Sequence, residues 1–299
     1  MRIPADLAET LAAIIDEGSF DGAAYRLGIT QPAVSQRLRA LERIVGQVLL
    51  VRSRPLQPTA AGLAVARLAR QILHLEADTV AELGIAEDGT RTTLPIAVNN
   101  DSLSTWFLTP LMQLSERLPV VFDLHRADQD FTVDLLEAGL VLAAVTSSAT
   151  PIAGCRITPL GVMQYRPMAT VEFCDRWFPG GVTDEALAVA PVVDYDRNDE
   201  LQTRWLRQRG IDPLAPPRHR LPASAEYADA VRGGLGWGQL LPTQAERGLT
   251  EGRLIALDDT SVDVELYWQQ WNVHSALLDD VASVIAAHAR DVLLPLGEV

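Results

Sequence analysis

Apolar residues in the first 60 positions recur at helical spacing. Leu7, Leu11, Ile14 and Ile15 predict a first helix that ends near Gly18. Ser19 fits an N-cap for a second helix, Phe20 to Leu27, with Gly28 as its left-handed stop. Thr30 caps a third, whose first turn holds Pro32, where a missing N–H costs little. On that third helix Val34, Leu38, Leu41 and Val45 share one face. The opposite face carries Pro32, Gln36, Arg39 and Arg43, flanked by Ser35 and Arg37, and Gly46 ends the helix. Residues 48–59, VLLVRSRPLQPT, alternate poorly and contain two prolines, as a short hairpin or wing does.

From Thr59 to about Leu83 the pattern predicts one long helix, with Val65, Leu68, Ile72, Leu75, Thr79 and Leu83 recurring every three to four residues. So narrow a stripe suits coiled-coil-like pairing with a second chain; an amphipathic helix packed on its own domain is the other reading. AEDGTRTT, residues 86–93, reads as a linker. Past Leu94, short apolar runs (LPIAV, VVFDLH, LVLAAV) alternate with helical stretches at Thr105–Arg117 and Thr132–Ala138, a parallel α/β pattern. YRPMATV and PVVDY supply further strands. Helices follow around Glu200–Arg209 and Ala225–Gly233, then a Gly-rich connection, a last strand VDVELYWQQW and a closing helix Ser275–Leu294.

The net charge of -14 is unevenly spread. Residues 1–58 hold seven arginines against six acids, whereas residues 89–299 hold 16 arginines against 28 acids. A slightly basic head on an acidic body suggests that the head alone meets a polyanion. All 25 basic residues are arginine, which excludes lysine Schiff-base chemistry and a phosphate-binding P-loop. GGLGWG at 233–238 is therefore a structural turn. Cys155 and Cys174 read as buried thiols, and His74, His125, His219, His274 and His288 show no metal-ligand spacing. No metal, cofactor or catalytic constellation is expected, so an enzyme is disfavoured. The absence of a long apolar run or signal core points to a cytoplasmic protein away from membranes.

A helix-turn-helix needs a small residue where its helices cross, a glycine in the turn and a buried apolar residue in the second helix. Ala24, Gly28 and Val34 meet that spacing, as in any tight helical hairpin. The polar face adds weight, because Ser, Gln and Arg are the side chains that bond base edges and phosphates. The run Ala23-Ala24, Leu27, Pro32-Ala33-Val34-Ser35, Leu38, Leu41-Glu42, Gly46, Leu49, Arg52, Thr59 and Gly62 resembles the LysR-type transcriptional regulators. The likeness continues through the long helix and the body. Leu50 stands where that family usually has Phe and Pro58 where it usually has Leu, neither on the polar face. NNDSLSTW, FPGGVT, APVVDYD and LYWQQW look like the lysine/arginine-responsive branch that controls basic amino acid export.

The resemblance implies an N-terminal all-α winged helix-turn-helix over 1–58, a linker and dimerisation helix with its hinge over 59–89, and an α/β effector domain over 90–299. That body is expected to be periplasmic-binding-protein-like, with subdomain I at about 90–163 and 266–299 and subdomain II at about 164–265. The third helix enters the major groove of double-stranded DNA. Gln31, Pro32, Ser35, Gln36 and Arg37 lie near bases or phosphates, and Arg39, Arg43 and Arg52 clamp phosphates. The effector, L-lysine or L-arginine, lies at strand ends and helix starts. Expected around it are Asn100, Asp101 and Ser102, then Asp128, Thr146, Asp194 and Glu226, although acids at helix starts are also common caps. Homodimers or homotetramers and RNA polymerase are the implied partners. The competing function is an effector-independent nucleoid-associated or replication-related DNA binder.

Overall fold

The computed structural model describes residues 2–51, 53, 55–83, 91–126, 129–273 and 275–297. The head begins with α1 (Ala5–Glu17), α2 (Phe20–Leu27) and α3 (Gln31–Val45). The local signals act as expected. The Ser19 hydroxyl accepts from the Gly22 N–H and that of Thr30 from the Ala33 N–H, while left-handed Gly18, Gly28 and Gly46 close the three helices. Leu11, Ile14, Val34, Leu41 and Leu49 are wholly buried where the helices cross.

The wing pairs β1 (Leu50–Val51) antiparallel with β2 (Gln57–Pro58), and α4 (Ala60–Glu82) follows. The expected single stripe along α4 divides in two. Val65, with Ala66 and Ala69, joins the core of the head, and Leu68 and Ile72 are half-buried. Leu75, Thr79 and Leu83 face outward. Packing on its own domain therefore holds for the first half of the stripe, and the second half is exposed.

The body contains, in chain order, β3 (Thr92–Val98), α5 (Asn100–Thr105), α6 (Leu108–Arg117), β4 (Val120–Arg126), α7 (Gln129–Glu137) and β5 (Ala143–Thr146). Then come β6 (Cys155–Thr170), α8 (Val171–Trp177), α9 (Asp184–Leu187), β7 (Val192–Asp194), α10 (Leu201–Gln208) and β8 (Arg218–Arg220). The chain ends with α11 (Ser224–Arg232), β9 (Gly238–Leu240), α12 (Pro242–Thr250), β10 (Leu254–Ala256), β11 (Val262–Trp271) and α13 (Ala276–Val292). Among the described residues the main sheet runs β10-β6-β11-β5-β3-β4, with β9 also on β6, and β7 pairs with β8 apart from it.

Three differences from expectation have physical causes. The sheet is mixed: β3 is parallel to β4 and β5, but β11 is antiparallel to both β5 and β6. The strand expected at YRPMATV is the end of a 16-residue strand. Leu160–Met163 in its middle are buried without alternation, so period-two patterning could not mark it. The single helix expected over Thr105–Arg117 is two helices. Trp106 and Phe107 turn into the core at the break and meet edge to face, ring centres 5.4 Å apart.

The crossing strands β6 and β11 pair from Cys155–Trp271 to Tyr165–Val262. They carry one core across the whole body, with Trp268, Trp205 and Trp237 buried along it. In the head, Glu42 accepts the Leu49 N–H, and the Thr59 hydroxyl bonds the Val48 and Leu49 carbonyls. α4 can then start against the wing only because Gly62 lacks a side chain: a Cβ there would stand 2.0 Å from the Leu49 oxygen. Gly62→Ala is expected to destabilise the head by about 1–3 kcal/mol. Thermal unfolding followed on head peptides checks it, and an unaltered midpoint would contradict the close approach.

Candidate DNA interface and effector cavity

Gln31, Pro32, Gln36, Arg39 and Arg43 are exposed along α3, and Ser35 is half-buried beside them. Gln31 and Ser35 also line a groove bounded by Ser19, Phe20 and Asp21 at the start of α2 and by Ser53, Pro55 and Leu56 of the wing. Arg37 is turned elsewhere: its guanidinium donates to the Thr10 hydroxyl of α1 at 3.4 Å, tying α3 to α1. Arg52 lies outside the described residues. The surface that α3 leaves uncovered is thus polar and carries only positive formal charge at Arg39 and Arg43.

In the body, a cavity of about 200 Å³ opens where β3 and β7 end. Asn99, Asn100 and Asp101 reach it from one side, and Tyr165 and Val264 from the crossing strands. Tyr195, Asp196, Asn198, Asp199, Glu200, Leu201 and Arg204 line the far side, with Tyr227, Gln239 and Gln244. Four carboxylates and one guanidinium thus line it, and one of the four, Glu200, is paired with Arg207 at 3.1 Å.

Asp101 ties the two sides together. One oxygen accepts from the Tyr165 hydroxyl at 2.7 Å and the other from the Ser224 hydroxyl at 2.7 Å. The Asn100 amide donates to the Tyr195 hydroxyl across the same gap. Burial pushes the Tyr165 phenol well above its ordinary value, and the Asp101 charge beside it adds to the shift, so it stays a donor.

Asp199 accepts the Tyr195 and Leu201 backbone N–H groups at 2.8 and 3.0 Å. Burial nonetheless pushes its carboxyl up to about 6, with Asp194 and Asp101 adding to the shift against those two hydrogen bonds. Gln239 is 1% exposed, and neither its amide oxygen nor its amide nitrogen has a partner among the described residues. A buried amide in that state costs about 1–3 kcal/mol until water or a ligand satisfies it. No cluster of metal-ligating side chains occurs among the described residues.

The sequence comparisons follow this division of the chain. A "Bacterial regulatory helix-turn-helix protein, lysR family" domain matches residues 5–63, and a "LysR substrate binding domain" matches residues 87–290. The chain belongs to the LysR family of bacterial transcriptional regulators. This regulator is 39% identical over 279 residues to the HTH-type transcriptional regulator LysG of Mycobacterium tuberculosis, covering 93% of this chain and 91% of that one. The crystal structure of ArgP from Mycobacterium tuberculosis superposes with a TM-score of 0.91 at 38% identity, covering 99% and 100% of the two chains. Full-length LysG of Corynebacterium glutamicum with bound effector Arg gives 0.82 at 36% identity, covering 98% and 100%.

Of the effector residues expected from sequence, Asn100 and Asp101 come together in the regulator's cavity. Ser102 lies beneath it, wholly buried, with its hydroxyl on the Met163 sulfur and its N–H on the Asn99 cap. Thr146 is buried away from it, where its hydroxyl accepts from the Gln269 amide. Glu226 is exposed on the first turn of α11, and Asp128 lies outside the described residues. Asp194 is buried in β7, where one Arg218 nitrogen donates to both of its oxygens at 2.7 Å. Burial raises the Asp194 pKa and Arg218 opposes the rise.

Sequence reasoning missed Tyr165, Tyr195, Asp196, Asp199 and Gln239. For three of them a signal was present: YDRNDE, directly after the strand PVVD, is an acidic turn at a strand end. Asp194→Ala would leave the Arg218 charge buried without its partner and is expected to cost about 3–5 kcal/mol of stability. Denaturant unfolding measures it, and a loss under 1 kcal/mol would mean that the pair is not structural.

Proposed function

We propose that this LysR-family regulator binds operator DNA through α3 and the wing, and senses L-arginine or L-lysine in the body cavity. In the cytoplasm it would control transcription by RNA polymerase of a gene for basic amino acid export. The observation that carries the effector reading is the excess of carboxylates around a cavity whose floor holds the unpartnered Gln239 amide. Glu200 is already paired with Arg207 at 3.1 Å, but a cation compensates Asp101, Asp196 and Asp199, and a neutral or anionic ligand does not. The Gln239 amide suits an α-amino acid headgroup, accepting from the ammonium and donating to the carboxylate. The relatives named for lysine export and the relative that holds arginine point the same way.

On the head, Gln36 is assigned to a base edge, with Gln31, Pro32 and Ser35 beside it, and Arg39, Arg43 and Arg52 to phosphates. The outward-facing Leu75, Thr79 and Leu83 are assigned to a second copy of α4, giving a homodimer with two α3 helices, or a pair of such dimers.

Calorimetry on the full-length protein with L-lysine, L-arginine and L-histidine tests the effector reading. Saturable heat with a basic amino acid is expected, and none with any of the three would return the protein to the effector-independent class. Asp199 sets the pH dependence. Because the cation is held by the ionised carboxylate, affinity is expected to fall as pH drops through about 6, and Asp199→Asn to flatten that dependence. The ligand-free fold runs the other way. A carboxyl raised from 3.8 to about 6 contributes stability at low pH that is lost as pH rises through 6.

For DNA, Gln36→Ala is expected to reduce the discrimination between operator and scrambled DNA by about 1–3 kcal/mol. Arg39→Ala should weaken both equally. Fluorescence anisotropy at fixed salt separates the two, and an unchanged ratio for Gln36→Ala removes its base-reading role.

A further inference from the structure

Asp16 sits in the last turn of α1, where a carboxylate opposes the helix dipole and no basic residue of α1 accompanies it. Its oxygens are taken by two arginines from other helices: Arg26 of α2 at 2.9 Å and Arg70 of α4 at 2.5 Å. Arg70 then reaches out of the head. A second nitrogen of its guanidinium donates to the Ala138 carbonyl at 2.8 Å, just past the end of α7 in the body. Three residues earlier on α4, Arg67 donates to the Glu137 carbonyl at 2.9 Å and lies 5.1 Å over the Trp271 ring.

The receiving end is shaped for this. Carbonyls at a helix C-terminus lack intrahelical partners, and the dipole there favours cations. Gly139, at φ 66°, ends α7 against the Arg67 side chain, and a Cβ on it would stand 2.7 Å from Arg67 Cγ. His74 and Asp78, further along the same stripe of α4, are also buried, so this side of the helix is covered over three turns.

We infer that Arg67 and Arg70 form a latch that docks the DNA-reading head on the α7 end of its own chain's body. The relay Arg26–Asp16–Arg70–Ala138 then makes the orientation of α2, and of α3 beside it, depend on where the body holds α7. Two routes connect that end with the cavity. α7 packs on β3, whose end leads into Asn99–Asp101, and β11 runs from Val264 in the cavity wall to Trp271 under Arg67. The docking holds whatever the effector is.

The test uses the full-length Arg67→Ala/Arg70→Ala double variant. Alanine favours α4, and neither arginine lines the cavity. Hydrogen exchange over residues 134–141 is expected to rise about tenfold as this end of the body loses its cover. Exchange over 192–202, at the cavity, should stay as in the parent protein, and small-angle scattering should give a larger maximum dimension. Unchanged exchange at 134–141 with unchanged dimensions would overturn the latch. Should the double variant unfold throughout, Asp16→Asn decides. It removes the charge that orients Arg70 yet keeps both arginines, and should raise exchange locally to a smaller extent; no rise overturns the proposal.

Discussion

Most of this molecule hangs on the antiparallel pairing of β6 with β11. Ten residues of each strand run side by side, from Cys155–Trp271 at one end to Tyr165–Val262 at the other. Two long strands in a twisted sheet are stiff compared with the loops that join shorter elements. They also supply inward-facing residues to one core that spans the body. Because Tyr165 and Val264 lie near one end of the pair and Trp271 at the other, the cavity wall and the contact with α4 are parts of one piece.

Around that piece, polar contacts are distributed by burial. Asp194 is buried but matched by Arg218, so it holds β7 to β8 and has no charge to spare for a ligand. Asp199 is half-buried and accepts two backbone N–H groups, and no ion pair to it occurs among the described residues. The contrast separates an acid bound into the sheet from one that lines the cavity. Arginine is divided in a similar way. Arg37, Arg67, Arg70 and Arg218 are spent on carbonyls, hydroxyls and carboxylates within the fold, while Arg39 and Arg43 remain on the open face of α3. The open face of α3 is thereby cationic in a protein that is net negative.

The helices of the head were legible residue by residue, because caps, left-handed glycines and 3.6-residue periodicity act within a few positions of one another. The family followed from the same stretch, and the whole-chain comparisons agree with it. In the body, Asn100 and Asp101 were expected by the rule that ligands sit where strands end and helices begin, and both line the cavity. The same rule chose Asp194, one residue before the lining Tyr195; successive side chains of a strand take opposite faces, and that of Asp194 meets Arg218. Thr146 was misplaced for a related reason: it ends its strand but is occupied by Gln269 from another.

What the sequence determined by itself was therefore local or additive: helix limits, the basic head on the acidic body, the absence of lysine chemistry, and an apolar stripe on the long helix. The mixed sheet, the joining of Asp101 to Tyr165 and Ser224, the unpartnered Gln239 and the docking of Arg67 and Arg70 on α7 were decided only in three dimensions. The hydrogen bonds of Asp101, Arg67 and Arg70 join residues 64 to 123 positions apart, and no short-range pattern along a chain specifies such contacts. They are fixed when the crossing strands pair and the core closes around them.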